Sequence, residues 1–441
     1  MSNAAPSITK ITVRGFKSID REQSIDLRPL TLLAGANSSG KSSFMQPLLL
    51  LKQTIEAPSD PGALLLDGAN VRFTSADQLL FRSGRDSTDF GVAVERSDGS
   101  RLSVTYGRDK ESVFSIPTMA YAVSGRPEVT ISPAMTHEDI LAILPEHIRT
   151  FYQGIVKSGK INPNWYVHRE RCFLSLGLRP SDGSKTLGGF FGPYGLSPAS
   201  DFIPLLERLI HLPGLRGNPR RNYPKTGGRT LFPGTFETYV ASVVFRWQSE
   251  GGHALVQLGR DLESLGLTWK VEAKSVDDTQ VEIRVGRLTH AKRGGAHDLV
   301  SIADVGFGVS QTLPVLVALI AAQPGQMVYL EQPEIHLHPR AQRQLACVLA
   351  AAARRGVIVV AETHSALLLR EVQTLVATRS LDPSLVRLNW LQRDVDGATT
   401  VTPADLDAHG AYGQWPEDFD RTELDAEQAY LDAVERSGVV P

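Results

Sequence analysis

The residue types and spacing that most directly predict chemistry lie in one glycine loop, Gly35-Ala36-Asn37-Ser38-Ser39-Gly40-Lys41-Ser42, which fits the pattern G-x-x-x-x-G-K-[ST]. Its glycines let backbone N–H groups converge on phosphate oxygens, and the start of a following helix adds partial positive charge. Lys41 can reach the β- and γ-phosphates, and Ser42 can ligate Mg²⁺. The loop therefore predicts a site for ATP and Mg²⁺. The predicted nucleotide-binding residues here are Gly35, Asn37, Ser38, Ser39, Gly40, Lys41, Ser42 and Ser43.

Two later strand ends carry polar groups of the kind that such a loop needs. Apolar residues 327–330 lead into Glu331, and apolar residues 357–361 lead into Glu362-Thr363-His364-Ser365. An acid at the carboxyl end of a buried strand can hold Mg²⁺ beside Ser42, so Glu331 is the second predicted metal residue. A histidine there can hydrogen-bond a γ-phosphate. The alternatives are an acid that caps the next helix and a histidine that serves packing alone.

The surrounding pattern predicts the elements that bring these groups together. Residues 30–34 form an apolar strand before the loop, and residues 43–51 have helical character after it. An amphipathic helix over residues 339–355 links the two later strands, so their carboxyl ends are expected at one crevice. Alternating residues 8–13 and 23–27 predict an antiparallel sheet that leads into the loop.

The sequence also predicts secondary structure and a basic stretch outside the glycine loop and the two strand ends. Residues 68–73 are expected to be β, residues 269–273 and 280–285 a hairpin, and a long Pro- and Gly-rich stretch follows helical patterns after residue 136. Six basic residues in that stretch have no acid between them and predict contact with nucleic-acid phosphate, a partner or the nucleotide, or else a solvated loop. They are Arg208, Arg216, Arg220, Arg221, Lys225 and Arg229.

Composition excludes several classes of protein. The chain has 46 basic and 48 acidic residues, which argues against a uniformly basic nucleic-acid binder. Its 2 cysteines, Cys172 and Cys347, lack metal-type spacing. No uninterrupted apolar run of about 18 residues occurs, so we expect a cytoplasmic protein that neither enters a membrane nor is exported.

The order of four motifs resembles that of the ABC-type ATPases of the SMC, RecF and OLD group. The motifs are Gly35–Ser42, Gly306–Gln311, Glu331–Pro339 and Glu362–Ser365. The chain is most similar to short bacterial AAA-family members that lack a long coiled coil and end in a small domain of unknown function. The resemblance implies an α/β P-loop NTPase of ABC-ATPase type, with a mixed central sheet, an N-terminal antiparallel β subdomain, a helical insertion and a small C-terminal domain.

The predicted division of the chain follows from these patterns. Residues 1–115 form an N-terminal ATPase lobe, 116–240 a mainly helical insertion, 241–380 a C-terminal ATPase lobe, and 381–441 a small acidic domain. Between residues 401 and 441 ten acids stand against two arginines. Such a tail can cover the basic loop, dock a partner or remain a solvated helix.

The resemblance also implies roles for single residues. Two subunits sandwich two ATP molecules, and Ser310, in the place of the signature serine, acts in trans; the residues alone favour a helix cap at Ser310. Glu331 takes the place of the magnesium aspartate, Gln332 that of the catalytic glutamate, and His364 that of the switch histidine. Glutamine cannot accept a proton from water, so either Glu334 supplies the carboxylate or hydrolysis is slow.

The resulting functional hypothesis is a dimeric or higher homo-oligomeric ATP-dependent switch in prokaryotic nucleic-acid metabolism. In that reading it acts in anti-phage defence and controls a separate effector such as a nuclease, as the resemblance implies. The alternative is a RecF-like ATPase of DNA repair or recombination that binds DNA itself. Salt-sensitive DNA binding by the protein alone would favour the alternative.

Overall fold

The computed structural model describes residues 6–83, 85–109, 113–157, 163–180, 196–227, 230–290, 298–413 and 428–434. Its strands, in chain order, are β1 Ile8–Arg14, β2 Gln23–Asp26, β3 Leu30–Ala34, β4 Arg82–Ser83, β5 Arg85–Asp86, β6 Asp89–Arg96, β7 Arg101–Asp109, β8 Val113–Ala122, β9 Val129–Ile131, β10 Pro163–Glu170, β11 Phe173–Pro180, β12 Ile210–Leu212, β13 Tyr223–Pro224, β14 Val271–Ser275, β15 Gln280–Gly286, β16 Leu299–Ser301, β17 Met327–Glu331, β18 Ile358–Thr363, β19 Val386–Arg393 and β20 Thr399–Ala404.

Helices separate and cover these strands. They are α1 Lys41–Ile55, α2 His137–Ile143, α3 Glu146–Lys157, α4 Ile203–Glu207, α5 Val240–Glu250, α6 His253–Ser264, α7 Phe307–Ala321, α8 Pro339–Arg354 and α9 Ala366–Ala377, with short 3-10 turns at Ala76–Gln78, Phe236–Tyr239, Ile302–Asp304 and Pro383–Leu385. No helix in the described ranges is both long and apolar enough to cross a membrane.

The central sheet has the strand order β12-β17-β18-β3-β19-β20. All its neighbouring strands are parallel except β20, which runs antiparallel to β19. The strand that leads into the glycine loop, β3, therefore lies directly beside β18 and one strand further from β17. Because parallel strands end at the same edge, the loop, Glu362 and Glu331 all lie along one side of the sheet.

This sheet separates two apolar cores, as the alternation of side chains along its strands requires. Leu30, Leu32 and Ala34 of β3 point into one core together with apolar side chains of α5 to α9. Leu33 points into the other core, which contains the apolar side chains of α1 and of the antiparallel sheet β2-β1-β6-β7-β8-β9. The protein is thus a mixed α/β structure with an N-terminal antiparallel sheet, as the sequence predicts.

Residues 68–73 do not form the predicted strand. Only an isolated bridge joins Asp67 and Arg72, because the side chain of Gln53 on α1 takes up the backbone groups of this segment. Its amide oxygen accepts hydrogen bonds from the N–H groups of Asn70 (3.2 Å) and Val71 (3.0 Å), and its amide nitrogen donates to the carbonyl oxygen of Leu65 at 2.6 Å. Two backbone hydrogen bonds, from Gly68 N–H to Val71 at 3.0 Å and from Phe73 N–H to Leu66 at 2.9 Å, pair further groups, so the segment needs no partner strand.

Two segments differ from the predicted division of the chain. Residues 116–240 contain the hairpin β10–β11, which pairs all along its length, beside helices α2 to α4, so helix does not predominate there. The hairpin β19–β20 belongs to the central sheet through the parallel pairing of β19 with β3, instead of forming a separate C-terminal unit. The echo of a trailing domain at residues 415–419, and most of the acidic tail, lie outside the described residues.

Gly40 gives a sharp test of how the glycine loop packs. Its φ is +98°, and an added Cβ would lie 2.3 Å from Oγ1 of Thr399, whose hydroxyl is buried and fixed by hydrogen bonds to Ser18 and Ser39. Gly62 has nearly the same φ, +96°, with no atom within 4 Å of that Cβ position. We expect Gly40→Ala to lower the apparent unfolding temperature and the amide-exchange protection of α1 clearly more than Gly62→Ala, since only the former adds a steric clash to backbone strain.

The measurement is thermal unfolding together with hydrogen exchange followed by mass spectrometry. Equal effects of Gly40→Ala and Gly62→Ala would contradict the close packing of β20 against the loop.

Candidate active site

The glycine loop connects the end of β3 to the start of α1, as predicted. Three of its residues have unusual backbone angles: the φ of Gly35 is +147°, that of Ser38 +60° and that of Gly40 +98°. A Cβ on Gly35 would lie 2.1 Å from the carbonyl oxygen of Leu391, so only glycine fits against β19. The loop is thereby held in a compact turn beside the helix N-terminus, the geometry that binds phosphate.

Lys41 folds back over the loop. Its amino group donates to the carbonyl oxygens of Gly35 at 2.9 Å and Ala36 at 2.7 Å, and the residue is only 6% exposed. Burial lowers the pKa of Lys41, while the charges of Glu362 and Glu334 act in the opposite direction. The lysine cation is thus already located at the loop, where a phosphate can replace carbonyl oxygens as its partner.

The hairpin β19–β20 supports the loop from outside. Arg393 donates from Nε to the carbonyl oxygen of Ser38 at 2.6 Å. Thr399 donates from its hydroxyl to the carbonyl oxygen of Ser39 at 2.9 Å and from its N–H to the carbonyl oxygen of Ser18 at 2.6 Å. Sequence reasoning missed this role because the two residues are more than 350 positions from the loop.

A cleft of about 510 Å³ opens at the loop. Four basic side chains line it, from Lys17, Lys41, Arg82 and Arg393. Burial lowers the pKa of Lys17, whose amino group lies 4.8 Å from the centroid of the Phe73 ring. The wall also includes residues 37–43, Gln78, Gln332, Glu362 and His364. Cations, loop backbone and a helix start together make a site for a polyanion of the size of a nucleotide.

Glu331, the predicted metal residue, forms its hydrogen bonds with the 211–216 segment. Its Oε1 lies 3.1 Å from Nε2 of His211, and its Oε2 accepts a hydrogen bond from the N–H of Gly214 at 3.1 Å. Burial alone would raise the pKa of Glu331, but these hydrogen bonds and the nearby Arg216 charge hold it below its usual value. The carboxylate is ionised, yet both of its oxygens already have partners.

The carboxylate that meets Ser42 belongs to Glu362. Oγ of Ser42 donates to Oε2 of Glu362 at 2.9 Å, and the hydroxyl of Tyr329 donates to Oε1. Glu362 is 3% exposed, and burial, aided by the charge of Glu331, raises its pKa to about 7 against the hydrogen bonds from Tyr329 and Ser42. The sequence contains one signal for this residue: Glu362, like Glu331, is an acid at the end of an apolar strand.

The predicted catalytic residues lie close to one another at the strand ends. Gln332 adopts a φ of +43° and donates its N–H to the carbonyl oxygen of Glu362 at 3.1 Å. Oε1 of Glu334 accepts hydrogen bonds from Oγ1 of Thr363 at 2.6 Å and the N–H of His364 at 2.9 Å. Oε2 of Glu334 is buried without a hydrogen-bond partner, and burial raises the pKa of this carboxyl.

His364 lies between the loop and these carboxylates. It lines the 510 Å³ cleft together with Gln332, and it also lines a neighbouring cleft with Glu334. Burial, followed by the charge of Lys41, lowers the pKa of His364, so the imidazole is neutral at physiological pH. A neutral ring retains one N–H that can donate to an anionic oxygen.

Ser310 does not occupy the exposed position that its predicted action in trans requires. It lies in the first turns of α7, is 7% exposed, and donates to the carbonyl oxygen of Phe307 at 3.3 Å. It lines a small cavity of about 130 Å³ beneath residues 216–224 instead of the nucleotide cleft. The helix begins three residues earlier than the predicted Ser310 start, so the exposed residues at its beginning are Gly306 and Phe307.

Most side chains of the predicted basic loop are engaged within the protein. Arg216 is 8% exposed and donates to the carbonyl oxygens of Gln311 at 3.1 Å and Glu331 at 3.2 Å. Arg221 forms an ion pair with Asp304 at 2.6 Å, and Lys225 donates to Oγ of Ser275 at 2.9 Å. Arg229 lies outside the described residues. The loop therefore contacts the strand end at Glu331 instead of presenting a continuous basic surface.

The metal that an ATP site needs can be tested against these atoms. Mg²⁺ prefers hard oxygen ligands, and the hydroxyl of Ser42 and the carboxylate of Glu362 provide two of them at the loop. In the described ranges no group of three or more His, Cys, Asp and Glu side chains is arranged for a metal. The oxygen donors fit Mg²⁺ bound mainly through nucleotide phosphates and water.

Comparisons with known proteins agree with this geometry. A family model described as "AAA ATPase domain" matches residues 7–115, which carry the glycine loop. A second, described as "AAA domain, putative AbiEii toxin, Type IV TA system", matches residues 188–370, which carry the later strand ends. A search of curated proteins found no match.

Solved structures with a similar chain path include SMC head domains. One is the SmcHead bound to the C-winged helix domain of ScpA, with 12% identity and a TM-score of 0.49 over 91% of this chain and 98% of that one. Another is the SMC head domain from Thermotoga maritima, with 11% identity and a TM-score of 0.38 over 90% and 98%. A third is the Smc head domain with an extended coiled coil, bound to the C-terminal domain of ScpA and derived from Pyrococcus furiosus, with 12% identity and a TM-score of 0.45 over 91% and 97%.

The two family models match separate segments that the fold brings to one site, the phosphate loop at the end of β3 and the strand ends of β17 and β18. The order of motifs along the chain and their assembly at one edge of a mixed parallel sheet agree with these matches. Models of AAA-family ATPase domains thus match both of the segments that form the site, and the fold is the mixed α/β P-loop arrangement that the motifs predict.

Proposed function

We propose that this ATPase binds and hydrolyses ATP as a dimeric, ATP-dependent switch in prokaryotic nucleic-acid metabolism. The observation that carries the proposal is the glycine loop, which holds the Lys41 cation at a cleft lined by three further basic side chains. The N–H groups and side chains of residues 37–40 surround the phosphates, Lys41 pairs with the β- and γ-phosphates, and Ser42 and Ser43 complete the helix start.

Each remaining residue of the site has a role that follows from its position. The hydroxyl oxygen of Ser42 would hold Mg²⁺, which would supply positive charge to the β- and γ-phosphates. His364 donates a hydrogen bond to the γ-phosphate and so distinguishes ATP from ADP. The Gln332 amide orients a water molecule but cannot accept its proton.

Turnover is proposed to be slow. Glu334 has the carboxyl group that follows Gln332 most closely in the sequence. It is 5% exposed, and one of its oxygens accepts two hydrogen bonds. Burial stabilises its protonated form, and its second oxygen is itself buried, so this carboxyl is poorly placed to take a proton from the water that Gln332 orients. An ATPase with this arrangement remains in its ATP-bound state for long periods and acts as a switch.

A dimer interface is proposed around residues 331–336. Three large apolar side chains are exposed near this segment: Leu215 at 88%, Phe307 at 55% and Ile335 at 48%. The ring of Phe307 stacks on His336 with centroids 6.0 Å apart, and Ile335 lines a cleft with Glu334 and His364. Exposed apolar residues that gather beside a charged cleft are typical of a protein interface, so a second subunit is proposed to cover them.

The biological role is proposed to be anti-phage defence through control of a separate effector such as a nuclease. The description of the second matched family, which refers to a toxin and a toxin–antitoxin system, supports a role in a multi-component defence-type system. The internal pairing of Arg216, Arg221 and Lys225 weighs against the RecF-like alternative, because few of the predicted basic side chains are free for DNA.

Reconstitution tests this role directly. ATP turnover is measured for the purified protein alone, with duplex DNA, and with the product of a neighbouring gene co-expressed. The proposal expects DNA to leave turnover unchanged and the neighbouring protein to bind in an ATP-dependent way. Tight, salt-sensitive DNA binding by the ATPase alone would support the RecF-like alternative instead.

ATP binding is predicted to depend on Lys41. Replacing Lys41 by Ala removes the cation that faces the β- and γ-phosphates, so the affinity for ATP should fall by roughly tenfold or more, which is over ~1.4 kcal/mol. The control is Lys274→Ala, which removes an exposed lysine from β14. Calorimetric titration with ATP measures both variants, and unchanged binding by Lys41→Ala would remove the basis of the proposed function.

Dimerisation is predicted to depend on Phe307. The variant Phe307→Glu places a charge on the proposed apolar interface and should abolish an ATP-dependent doubling of mass in light scattering, while ATP binding by the monomer persists. Val123→Glu is the matched control, since Val123 is 45% exposed and follows β8 of the antiparallel sheet. A Phe307→Glu protein that dimerises like the control would show that the interface lies elsewhere.

A further inference from the structure

The two acids at the strand ends are not equivalent. Glu331 is bonded to the neighbouring segment at three atoms: His211 at Oε1, Gly214 at Oε2 and Arg216 at its carbonyl oxygen. All three belong to one segment, residues 211–216, on the side of β17 away from β3. A metal at this carboxylate would compete with hydrogen bonds from a buried histidine and a loop N–H, which hold it toward the 211–216 segment.

The sheet places Glu362 nearer to the loop. Neighbouring strands lie about 4.8 Å apart, so the backbone of β18 is about 5 Å from β3 and that of β17 about twice as far. In the register of the sheet, Glu362 pairs with Leu33, whereas Glu331 pairs with Glu362. Alternation along the strands directs Glu331 and Glu362 to the face that also carries α1 and its first residue pair, Lys41 and Ser42.

The contacts of Glu362 differ from those of Glu331 in a way that favours a metal. Glu362 lines the nucleotide cleft, and Glu331 does not. Its Oε1 is held by the hydroxyl of Tyr329, a fully buried residue whose ring stacks on His211 with centroids 5.4 Å apart. Its Oε2 has Ser42 as its hydrogen-bond partner. One oxygen is thus fixed by the core, and the other faces the phosphate loop.

The distance between the two oxygens also matches a metal site. Adjacent ligands of an octahedral Mg²⁺, each 2.0–2.1 Å from the ion, lie roughly 2.9 Å from each other. Oγ of Ser42 and Oε2 of Glu362 are 2.9 Å apart. The two atoms can therefore serve as neighbouring ligands after the serine proton turns away, without a large movement of either strand.

We propose that Glu362 supplies the protein carboxylate of the magnesium site, paired with Ser42, and that Glu331 is a positioning residue which ties the 211–216 segment to the strand end. Tyr329 is a second positioning residue, because it fixes the rotamer of Glu362. The proposal rests on the proposed function, since it requires that ATP bind at the glycine loop. The order of motifs along the sequence predicts no role for Glu362, and the proposal assigns one to it.

The test measures metal affinity without relying on turnover. Full-length protein is saturated with a non-hydrolysable ATP analogue and titrated with Mn²⁺, and free Mn²⁺ is followed by electron paramagnetic resonance. Glu362→Gln, which keeps the size and the acceptor for Ser42, should weaken Mn²⁺ binding by at least roughly tenfold. Glu331→Gln should weaken it less than about threefold, and Tyr329→Phe should give an intermediate loss because the carboxylate remains but is less fixed.

A second measurement separates this inference from the proposed function. Binding of the analogue is measured in EDTA, where loss of a negative charge near the phosphates should leave the affinity of Glu362→Gln equal to or higher than that of the wild type. Wild-type protein that binds no analogue would contradict the proposed function. Two other results would overturn only the assignment of Glu362, provided that the wild-type protein binds the analogue. One is a Mn²⁺ affinity of Glu362→Gln equal to that of the wild type. The other is a larger loss of Mn²⁺ affinity in Glu331→Gln than in Glu362→Gln.

Glu362→Asp provides a variant that retains the charge if the amide substitution destabilises the fold. It withdraws the carboxylate by one methylene group from both Ser42 and Tyr329, so Mn²⁺ binding should again weaken. Normal Mn²⁺ binding by a folded Glu362→Asp protein would also count against the proposal.

Discussion

The parallel register of β17, β18 and β3 determines which side chains can meet at the phosphate loop. Three consecutive strands end at one edge, and their inward-facing residues lie on the face covered by α1. Because side chains alternate, a shift of one residue in β18 would turn Glu362 into the opposite core and bring an alanine or threonine to the loop. The charges of the site can be buried only because this register brings Lys41, Ser42 and Glu362 together.

The burial of these charges explains why each of them has hydrogen-bond partners within the protein. Lys41 is satisfied by loop carbonyls, Glu362 by Ser42 and Tyr329, and Glu331 by the 211–216 segment. Each buried ion must have such partners, since an unpaired charge in the core costs far more than one hydrogen bond returns. The partners come from the phosphate loop, from β17 and from the 211–216 segment, so distant parts of the chain meet at one small polar cluster.

Local pattern is enough to predict the phosphate loop, the strands on either side of it and the helix over residues 339–355, because each has a strong period or motif. The loop residues 37–43 and His364 lie at one cleft, as the resemblance to ABC-type ATPases implies.

The hydrogen-bond partners of the site residues cannot be predicted in the same way. The sequence contains two acids at strand ends, and which of them meets Ser42 depends on strand order, a property of the whole sheet. The pattern predicts a helix cap at Ser310, whereas the helix begins three residues earlier and buries that side chain. Residues 68–73 resemble a strand, yet one buried glutamine on α1 binds their backbone.

The most direct measurement is a crystal structure of the protein with Mn²⁺ and a non-hydrolysable ATP analogue, in which anomalous scattering locates the metal independently of the refined coordinates. The account predicts the triphosphate at residues 35–43, with Lys41 on the β- and γ-phosphates, and one anomalous peak within bonding distance of Oγ of Ser42 and a carboxylate oxygen of Glu362. A nucleotide bound away from the glycine loop would contradict the account of the site, and a peak ligated by Glu331 would contradict the metal-binding role of Glu362.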